Sequence, residues 1–202
     1  MKRTFGRYEL KSSKRGEVGE NVFFGTDLEL KRPIAIKEIK QVNAARSEAI
    51  ALAACGPHES IPVIYDFFTC CSKGYIVMEY VKGHELGGDQ NGRPNPQEKA
   101  VALTINILHA LRHIHSKGYL HLDIKPKNVM VTNEATSKIK LIDFGGAVLK
   151  KPSGFFKGKP KAGYPPYMPS VRNPEYTGHL IRKLLDTQSG FHWTLNPEMT
   201  GQ

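Results

Sequence analysis

The chain has 202 residues, with 29 lysine or arginine side chains against 19 aspartate or glutamate side chains and a formal net charge of +10. Its 40% hydrophobic and 24% charged content is that of an ordinary globular protein of one domain or two closely packed lobes. No apolar run approaches the ~18 residues of a membrane-spanning helix, and the basic start "MKRTFGRYEL" lacks the apolar stretch of a secretory signal peptide, so we expect no membrane association. The charge either favours anionic partners, such as nucleotide phosphates, acidic protein surfaces or nucleic acid, or only keeps the surface soluble.

The three cysteines predict the redox compartment. Cys55, Cys70 and Cys71 are odd in number, and two of them are adjacent. This spacing forms neither a C-x-x-C metal pair nor a disulfide framework. We therefore expect reduced thiols and a cytoplasmic location.

The first 81 residues predict an antiparallel sheet with one helix. Strands are expected at "RYEL", "VFFGTD" and "PIAIKEI", which are rich in apolar and β-branched residues and separated by polar turns. A helix is expected over "NAARSEAIALAACGP", with Asn43 as its N-cap, Gly56 as its end and Pro57 preventing continuation. Two further strands, "IPVIYDFF" and "YIVMEYV", complete the sheet over roughly residues 5 to 81.

A second helix is expected after the Gly-, Asn- and Pro-rich break at "KGHELGGDQNGRPNPQ". Asn95 and Pro96 suit its first positions, and Gly118 ends it. Its apolar residues recur at helical steps; they are Val101, Ile105, Leu108 and Leu111. "VMV" and "KIKLI" predict short strands, residues 146–175 predict a loop, and residues 178–186 predict a last helix.

Three motifs place acids, a cation and an amide in a recognisable order. "IAIK" ends at Lys37, "HLDIKPKNVM" contains Asp123, Lys125 and Asn128, and "IDFGG" contains Asp143. In this order the motifs resemble those of the Ser/Thr protein kinases, and the resemblance extends over residues 5 to about 186.

The resemblance implies an α+β, protein-kinase-like fold with two lobes in a single domain, residues 1–202. The N-lobe, about 5–81, would be a small antiparallel sheet plus one helix. The hinge would lie at about 79–86. The C-lobe, about 87–202, would be reduced and mainly helical, because the later helices of the family are missing, and the whole resembles a truncated minimal kinase.

The resemblance also implies a catalytic centre that uses ATP and Mg²⁺, with Mn²⁺ as an alternative metal. Lys37 would hold the α- and β-phosphates. Asp123 would accept the proton of the substrate hydroxyl, and Lys125 would neutralise charge on the γ-phosphate. Asn128 and Asp143 would hold the metal through oxygen atoms.

Glu48 is the expected partner of Lys37. Leu52 and Cys55 follow it at i+4 and i+7, so a single acid lies on an apolar helix face. A buried carboxylate needs a cation, and Lys37 is the one that the resemblance supplies.

The same resemblance assigns the walls of a nucleotide pocket. "RGEVGENV" resembles the family's glycine-rich loop, with Val22 at its last position and with Gly16 and Gly19 each one position out of phase. Ala35, beside Lys37, belongs to the apolar surroundings of the nucleotide.

The stretch "VMEYVKGHEL" resembles the hinge between the lobes. Met78 would occupy the gatekeeper position, and the backbone of Glu79 to Val81 would bond the adenine edge. Glu85 would meet the ribose. Apolar walls with a few backbone polar groups suit a planar base.

Departures from the family pattern carry further expectations. Leu122 stands where most kinases have an arginine that binds a phosphorylated activation loop, so we expect activity without such phosphorylation. "GYPPYMPS" resembles the end of the activation segment, with Ser170 near the place of the usual glutamate. Residues 146–162 contain five lysines and no acid. This composition suits either a segment that binds an acidic surface of a substrate or a solvated loop.

Four functions are compatible with these observations. The favoured one is a monomeric Ser/Thr kinase acting on a protein. A pseudokinase scaffold is the alternative; a small-molecule kinase is disfavoured by Lys125, and a nucleic-acid binder by the absence of a recognised module. The small size resembles bacterial effector kinases secreted into a host cytosol, one family of which acts on a host heat-shock chaperone, and viral truncated kinases fit almost as well.

Overall fold

The computed structural model describes residues 3–15, 20–86 and 97–150. The first part of the chain forms one antiparallel sheet of six strands in the order β1-β2-β3-β4-β6-β5. These strands are β1 (Arg3–Phe5), β2 (Tyr8–Arg15), β3 (Glu20–Asp27), β4 (Arg32–Ile39), β5 (Ile64–Cys70) and β6 (Lys73–Glu79). One helix, α1 (Val42–Cys55), packs against the sheet.

The second part of the chain contains one long helix and two small sheets. The elements are β7 (His84–Glu85), α2 (Gln97–Ser116), β8 (Tyr119–Leu120), β9 (Val129–Asn133), β10 (Lys138–Leu141) and β11 (Val148–Leu149). Strands β10, β9 and β7 form one antiparallel sheet, and β11 pairs with β8. No helix among the described residues is long and apolar enough to span a bilayer.

Strand β4 divides the core of the first sheet in two. Successive side chains of a strand point to opposite faces, and from Ile34 onward every side chain of β4 is buried. Ile34 and Ile36 join an aromatic cluster on one face. Ala35 and Lys37 therefore lie on the other face, the side on which α1 packs.

Helix α1 begins earlier than the sequence indicated. Gln41 is its extended N-cap residue, and its carbonyl accepts the first helical hydrogen bond, from Ala45 N–H at 3.0 Å. Asn43 lies within the helix, so the prediction that it caps the N-terminus is wrong. The predicted end is confirmed, because Gly56 N–H bonds Leu52 O at 3.0 Å just past the last helical residue.

Helix α2 confirms the helix that the periodicity indicated. Its buried residues are Ala100, Leu103, Ile107, Ala110 and Ile114. Val101 and Ile105, which belong to the periodic set, are each 46% exposed. The helix carries two apolar stripes, and periodicity alone does not say which one faces β8 and β10.

Other sequence predictions fare differently. Gly118 follows the end of α2 with φ +78°, as expected of a helix stop, and β9 and β10 confirm the two short strands. Val148 and Leu149 pair with β8 instead of forming only loop. Asn95, Pro96 and everything from residue 151 onward, including the remainder of the basic 146–162 segment and the expected helix at 178–186, lie outside the described residues.

Hydrogen bonds hold the two parts of the chain together along one seam. Leu141 N–H bonds Ser60 O at 2.9 Å. The Lys140 ammonium donates to Ile61 O at 3.1 Å and to Glu79 Oε2 at 3.0 Å. The seam fixes β10, and the loop that follows it, relative to the first sheet.

Candidate active site

Lys37 is the centre of a buried group of charges. It lies on β4 opposite Val22 of β3 and Ile76 of β6. Its Nζ is 2.9 and 3.0 Å from the two carboxylate oxygens of Glu48 and 2.8 Å from Asp143 Oδ1. Lys37 is 5% exposed and Glu48 is 4% exposed.

The helix face that carries Glu48 explains this pair. Ala45, Leu52 and Cys55 are buried on the same face of α1, so the carboxylate has no access to bulk water. A buried carboxylate without a cation costs several kcal/mol. The ion pair expected from the sequence is present, and it fixes α1 against β4.

Asp143 joins the group from the loop after β10. Burial alone would raise the pKa of Asp143, but the Lys37 ammonium and the Gly145 N–H at 3.2 Å hold that pKa below its ordinary value. The carboxylate is therefore ionised at neutral pH. Its backbone has φ +66°, a left-handed conformation that is uncommon for a residue with a side chain.

Gly145 completes the cradle around these charges. A Cβ added there would lie 3.2 Å from both Asp143 Oδ1 and Glu48 Oε2, and 3.7 Å from Lys37 Nζ. The two contacts with carboxylate oxygens are tighter than most van der Waals contacts, so a side chain here would require both carboxylates to shift by a few tenths of an ångström.

Asp123, Lys125 and Asn128 form a second polar group. Lys125 Nζ is 2.9 Å from Asp123 Oδ2. The Asn128 amide donates to Asp123 O at 2.9 Å and to Asp123 Oδ2 at 2.8 Å. The short helical turn Pro126–Asn128 makes this reach possible because it brings Asn128 back over Asp123.

A backbone bond links the two groups. Ile142 N–H donates to Asn128 O at 2.9 Å, and Asp143 follows directly in the chain. His121 reinforces the link, because its Nε2 is 3.3 Å from Ile142 O and its Nδ1 is 3.4 Å from Asp123 N. The structure thus brings together six of the residues singled out in the sequence: Lys37, Glu48, Asp123, Lys125, Asn128 and Asp143.

His121 acts as a neutral brace in this arrangement. It is fully buried against the Phe144 ring. Burial lowers the pKa of His121, although Asp143 and Asp123 act in the opposite direction. A neutral ring that accepts at Nδ1 carries its proton on Nε2, which then donates to Ile142 O.

The face of the sheet beside Lys37 is a candidate wall for a planar ligand. Ala35 lies two residues from Lys37 and pairs directly with Met78, and Val22 pairs with Lys37 itself. Paired residues share one face of a sheet, so the three apolar side chains line up on the Lys37 side. Gly16 and Gly19 lie outside the described residues.

The hinge stretch differs in one detail from the expectation. Glu79 N–H donates to Val63 O at 2.8 Å, so the sheet already uses this amide. The Glu79 side chain accepts from Val63 N–H and from Lys140. The atoms left to meet a base edge are the Glu79 carbonyl and the backbone of Val81. Glu85 lies farther along, on β7, where it pairs with Met130.

Sequence reasoning missed two aromatic residues at this edge. Phe24 pairs with Ala35, on the same face, and the Tyr80 ring meets it edge-on with centroids 5.4 Å apart. Phe24 stands two residues after Val22 on one strand, so strand alternation was the signal that could have found it.

The donor set fits a magnesium ion held jointly with phosphate. Magnesium is usually bound by one or two protein carboxylates or amides, with substrate phosphates and water filling the other positions. Asp143 is an ionised carboxylate, and the Asn128 amide nitrogen is already engaged, which leaves its oxygen for a cation. The described residues contain no group of three or more His, Cys, Asp or Glu that could hold a metal by itself.

Comparisons with known proteins agree with this geometry. The family model for the protein kinase domain matches residues 15–176. The chain is 35% identical over 159 residues to the serine/threonine-protein kinase PknG of Mycolicibacterium smegmatis, covering 72% of this chain and 20% of that protein. It is 36% identical to a probable serine/threonine-protein kinase, SCO3848, of Streptomyces coelicolor, covering 76% and 24%. The serine/threonine-protein kinase D of Synechocystis is 33% identical, covering 69% and 30%.

The chain therefore spans a fifth to under a third of the length of these three relatives. Each of them carries further sequence that has no counterpart in this match. The similarity therefore concerns only part of each relative.

Proposed function

This chain belongs to the protein kinase domain family, and on that premise we propose that it transfers the γ-phosphate of ATP to a serine or threonine hydroxyl of a protein. The observation that carries the proposal is the connection between the two polar groups. The Lys37, Glu48 and Asp143 group and the Asp123, Lys125 and Asn128 group are joined by a backbone bond and by His121. A site with these two halves suits a phosphoryl group held between a cation, a metal and a base.

In the proposed mechanism the first group holds the nucleotide. Lys37 would clamp the α- and β-phosphates, and Glu48 would keep the ammonium aimed from the sheet. Asp143 and Asn128 would hold Mg²⁺, or Mn²⁺ in its place, and the metal supplies neutralisation of phosphate charge when it is bound. Asp143 suits this task because its lowered pKa keeps it ionised.

The second group would handle the acceptor. Asp123 Oδ2 accepts from both Lys125 and Asn128, which orients the carboxylate. We assign Asp123 as the base that accepts the hydroxyl proton. Lys125 lies close enough to share its charge between Asp123 and a γ-phosphate, so it would stabilise the charge that develops during transfer.

The base of ATP would lie along the hinge. Val22, Ala35 and Met78 would supply apolar contacts, and Phe24 with Tyr80 would extend the same wall. The Glu79 carbonyl and the Val81 backbone would bond the adenine edge. Further along, Glu85 would meet the ribose, and the backbone at Gly16 and Gly19 would cover the phosphates.

Activation without loop phosphorylation is the second part of the proposal. Leu122 precedes Asp123 and has φ +59°. Its side chain has no hydrogen-bond donor for a phosphate. The conformation of Asp123 is instead supported by His121, Lys125 and Asn128. Full activity of protein treated with a phosphatase is expected, and strict dependence on a phosphate between residues 146 and 175 would contradict it.

The domain organisation and the protein substrate are further parts of the proposal. We treat residues 1–202 as one monomeric domain with a hinge at 79–86. Its substrate would be a protein, with an acidic surface or a host chaperone as the candidates from sequence. Labelling of a host lysate by the protein and radiolabelled ATP, followed by identification of the labelled band, tests whether the chaperone is the target.

Transfer of labelled phosphate from ATP tests the central proposal. We expect activity from the wild type with Mg²⁺, and a loss of about 100-fold or more for Asp143→Asn and for Asp123→Asn. Glu59→Gln is the control, because Glu59 is exposed and remains outside both groups. Nucleotide binding without any transfer by the wild type would favour the scaffold alternative, and absence of nucleotide binding would defeat the enzymatic reading.

A further inference from the structure

The turn between β5 and β6 has an unusual pair of residues at its tip. Cys70 ends β5 and pairs with Lys73, the first residue of β6, so Cys71 and Ser72 form a two-residue turn. Their φ values are +50° and +61°, which is the conformation of a type I′ turn. This turn strongly prefers Asn and Gly at its two central positions, and here both positions carry other side chains.

The turn brings two thiols together. Neighbouring residues of an extended strand point to opposite faces, which would separate their sulfur atoms. Because the backbone of Cys71 is in the left-handed conformation, its side chain instead lies beside that of Cys70, and the two Sγ atoms are 3.3 Å apart. Both cysteines are exposed and neither forms a disulfide.

We propose that Cys70 and Cys71 form a two-thiolate binding site for a trivalent thiophilic group, of the chemical class represented by organic arsenicals. The sulfur separation selects this class. With a bond length of ~2.3 Å to sulfur, two sulfurs must be about 4.6 Å apart for bonds on opposite sides and about 3.8 Å apart for tetrahedral bonds, whereas bonds at right angles need about 3.3 Å. A pyramidal trivalent atom has its bonds near right angles, so it fits without rearrangement of the turn.

A groove beside the thiols favours a ligand that carries an apolar ring. Cys70 lies on the same face of β5 as Phe68, two residues away. Together with Phe5, Tyr8 and Tyr65, these residues line a shallow groove on the side of the sheet away from α1. The Phe5 and Phe68 rings are 5.8 Å apart, centroid to centroid. A planar substituent on the bound group would contact this aromatic surface.

The site is separate from the candidate active site. Cys70 lines the groove on the face of the sheet away from α1, whereas Lys37 lies on the opposite face, on which α1 packs. Binding at the thiols can therefore be measured independently of phosphoryl transfer, and the inference does not rest on the proposed function.

The reaction with phenylarsine oxide balances without an oxidant or a reductant. Two S–H bonds break and two As–S bonds form. The oxygen of the arsenical leaves as water with both thiol protons, and arsenic remains trivalent. The product is a ring closed by Cys70, Cys71 and the backbone between them.

The experiment uses the full chain, reduced and then freed of reductant. Intact-mass spectrometry with phenylarsine oxide is expected to give one adduct that has lost two thiol hydrogens and that survives excess monothiol but not excess dithiol. Cys70→Ser and Cys71→Ser should each lower the affinity by about 100-fold, because the second As–S bond is then no longer intramolecular. Cys55→Ser is the matched control, since burial raises the pKa of the Cys55 thiol to about 11.

Two results would overturn the proposal. One is a wild-type adduct that monothiol removes, which would mean attachment through one sulfur. The other is an unchanged affinity in either single variant at the turn, provided that circular dichroism finds that variant folded. A Phe5→Ala variant tests the groove. Compared with the wild type, it should bind phenylarsine oxide several-fold more weakly and inorganic arsenite equally well. If the variant binds phenylarsine oxide as tightly as the wild type does, the ring contact is excluded.

Discussion

Lys37 and Glu38 are neighbours on β4 and are almost equally buried, but they belong to different networks of charge. Strand alternation directs them to opposite faces of the sheet. Lys37 contacts Glu48 from α1 and Asp143 from the loop after β10. These partners therefore come from two separate parts of the chain, one of them 106 residues away.

Glu38, in contrast, is held by hydrogen bonds within one sheet. Its carboxylate accepts from Asn21 Nδ2 at 3.0 Å, Lys73 Nζ at 3.0 Å and Tyr75 Oη at 2.9 Å. These residues lie on strands β3 and β6, which already pair with β4 through their backbones. The difference indicates that burial of a charge does not identify a functional site by itself. What distinguishes Lys37 is that its network spans the two parts of the molecule and faces the second polar group.

The functional difference between Lys37 and Glu38 is tested most directly by removing each charge in turn. We expect Lys37→Met to lower phosphoryl transfer by about 100-fold or more, because the ammonium acts directly on phosphate. Glu38→Gln should leave the activity of the folded protein within a few-fold of wild type. Steady-state transfer assays on both variants decide the matter, and equal losses of activity would mean that the two networks are not functionally distinct.

Thermal unfolding should show a clear loss of stability when the hydrogen bonds of Glu38 are weakened. Glu38→Gln replaces charge-assisted hydrogen bonds, so we expect a loss of about 2 kcal/mol of unfolding free energy and a Tm lower by about 5 °C. Lys73→Met is a milder test, because Lys73 is one of three donors to the carboxylate and is itself partly exposed. A Tm unchanged in Glu38→Gln would contradict the assignment.

The seam between the two parts offers a smaller effect with a matched control. Lys140 and Lys138 are on the same strand, but Lys140 bonds Glu79 and Ile61, whereas Lys138 is exposed and lies 3.8 Å from the exposed Glu59. We expect Lys140→Met to raise the KM for ATP several-fold and to cost about 1 kcal/mol of stability. Lys138→Met should change neither quantity measurably.

The pH dependence of stability tests one carboxylate from each network, Asp143 and Glu38. The pKa values of Asp143 and Glu38 are both lowered, since their cationic and N–H partners outweigh burial. A carboxylate with a lowered folded pKa stabilises the protein above its ordinary value of about 4, and this contribution is lost as the pH falls through the folded pKa. We expect the unfolding free energy to fall less steeply below about pH 5 in Asp143→Asn and in Glu38→Gln than in wild type. Denaturant titrations at several pH values measure these slopes, and unchanged slopes would contradict the lowered pKa values.

The sequence predicted the charged residues of the candidate active site better than it predicted helix capping and packing. The contact of Lys37 with Glu48 followed from a lone acid on an apolar helix face. The proximity of Asp143 to Lys37 did not follow from any local pattern, because 106 residues separate them, and it entered only through the order of the motifs.

The failures have local causes. Asn43 is a good capping residue, but the carbonyl of Gln41 had already begun the helix. The periodicity of Val101 and Ile105 correctly indicated a helix, but it carried no information on which stripe packs, and the buried stripe starts at Ala100. The meeting of Cys70 and Cys71 depends on a left-handed backbone that no propensity for cysteine predicts.

Gly145 sets a boundary on how this protein can diverge. Its hydrogen atoms occupy the space between the Asp143 and Glu48 carboxylates, where even a methyl group would press on both. A larger residue at this position requires both carboxylates to shift, so substitution is restricted while Glu48 and Asp143 both contact Lys37. A lineage that abandons phosphoryl transfer would be released from that restriction, so an alanine or serine here in a close homologue would be an early sign of lost catalysis.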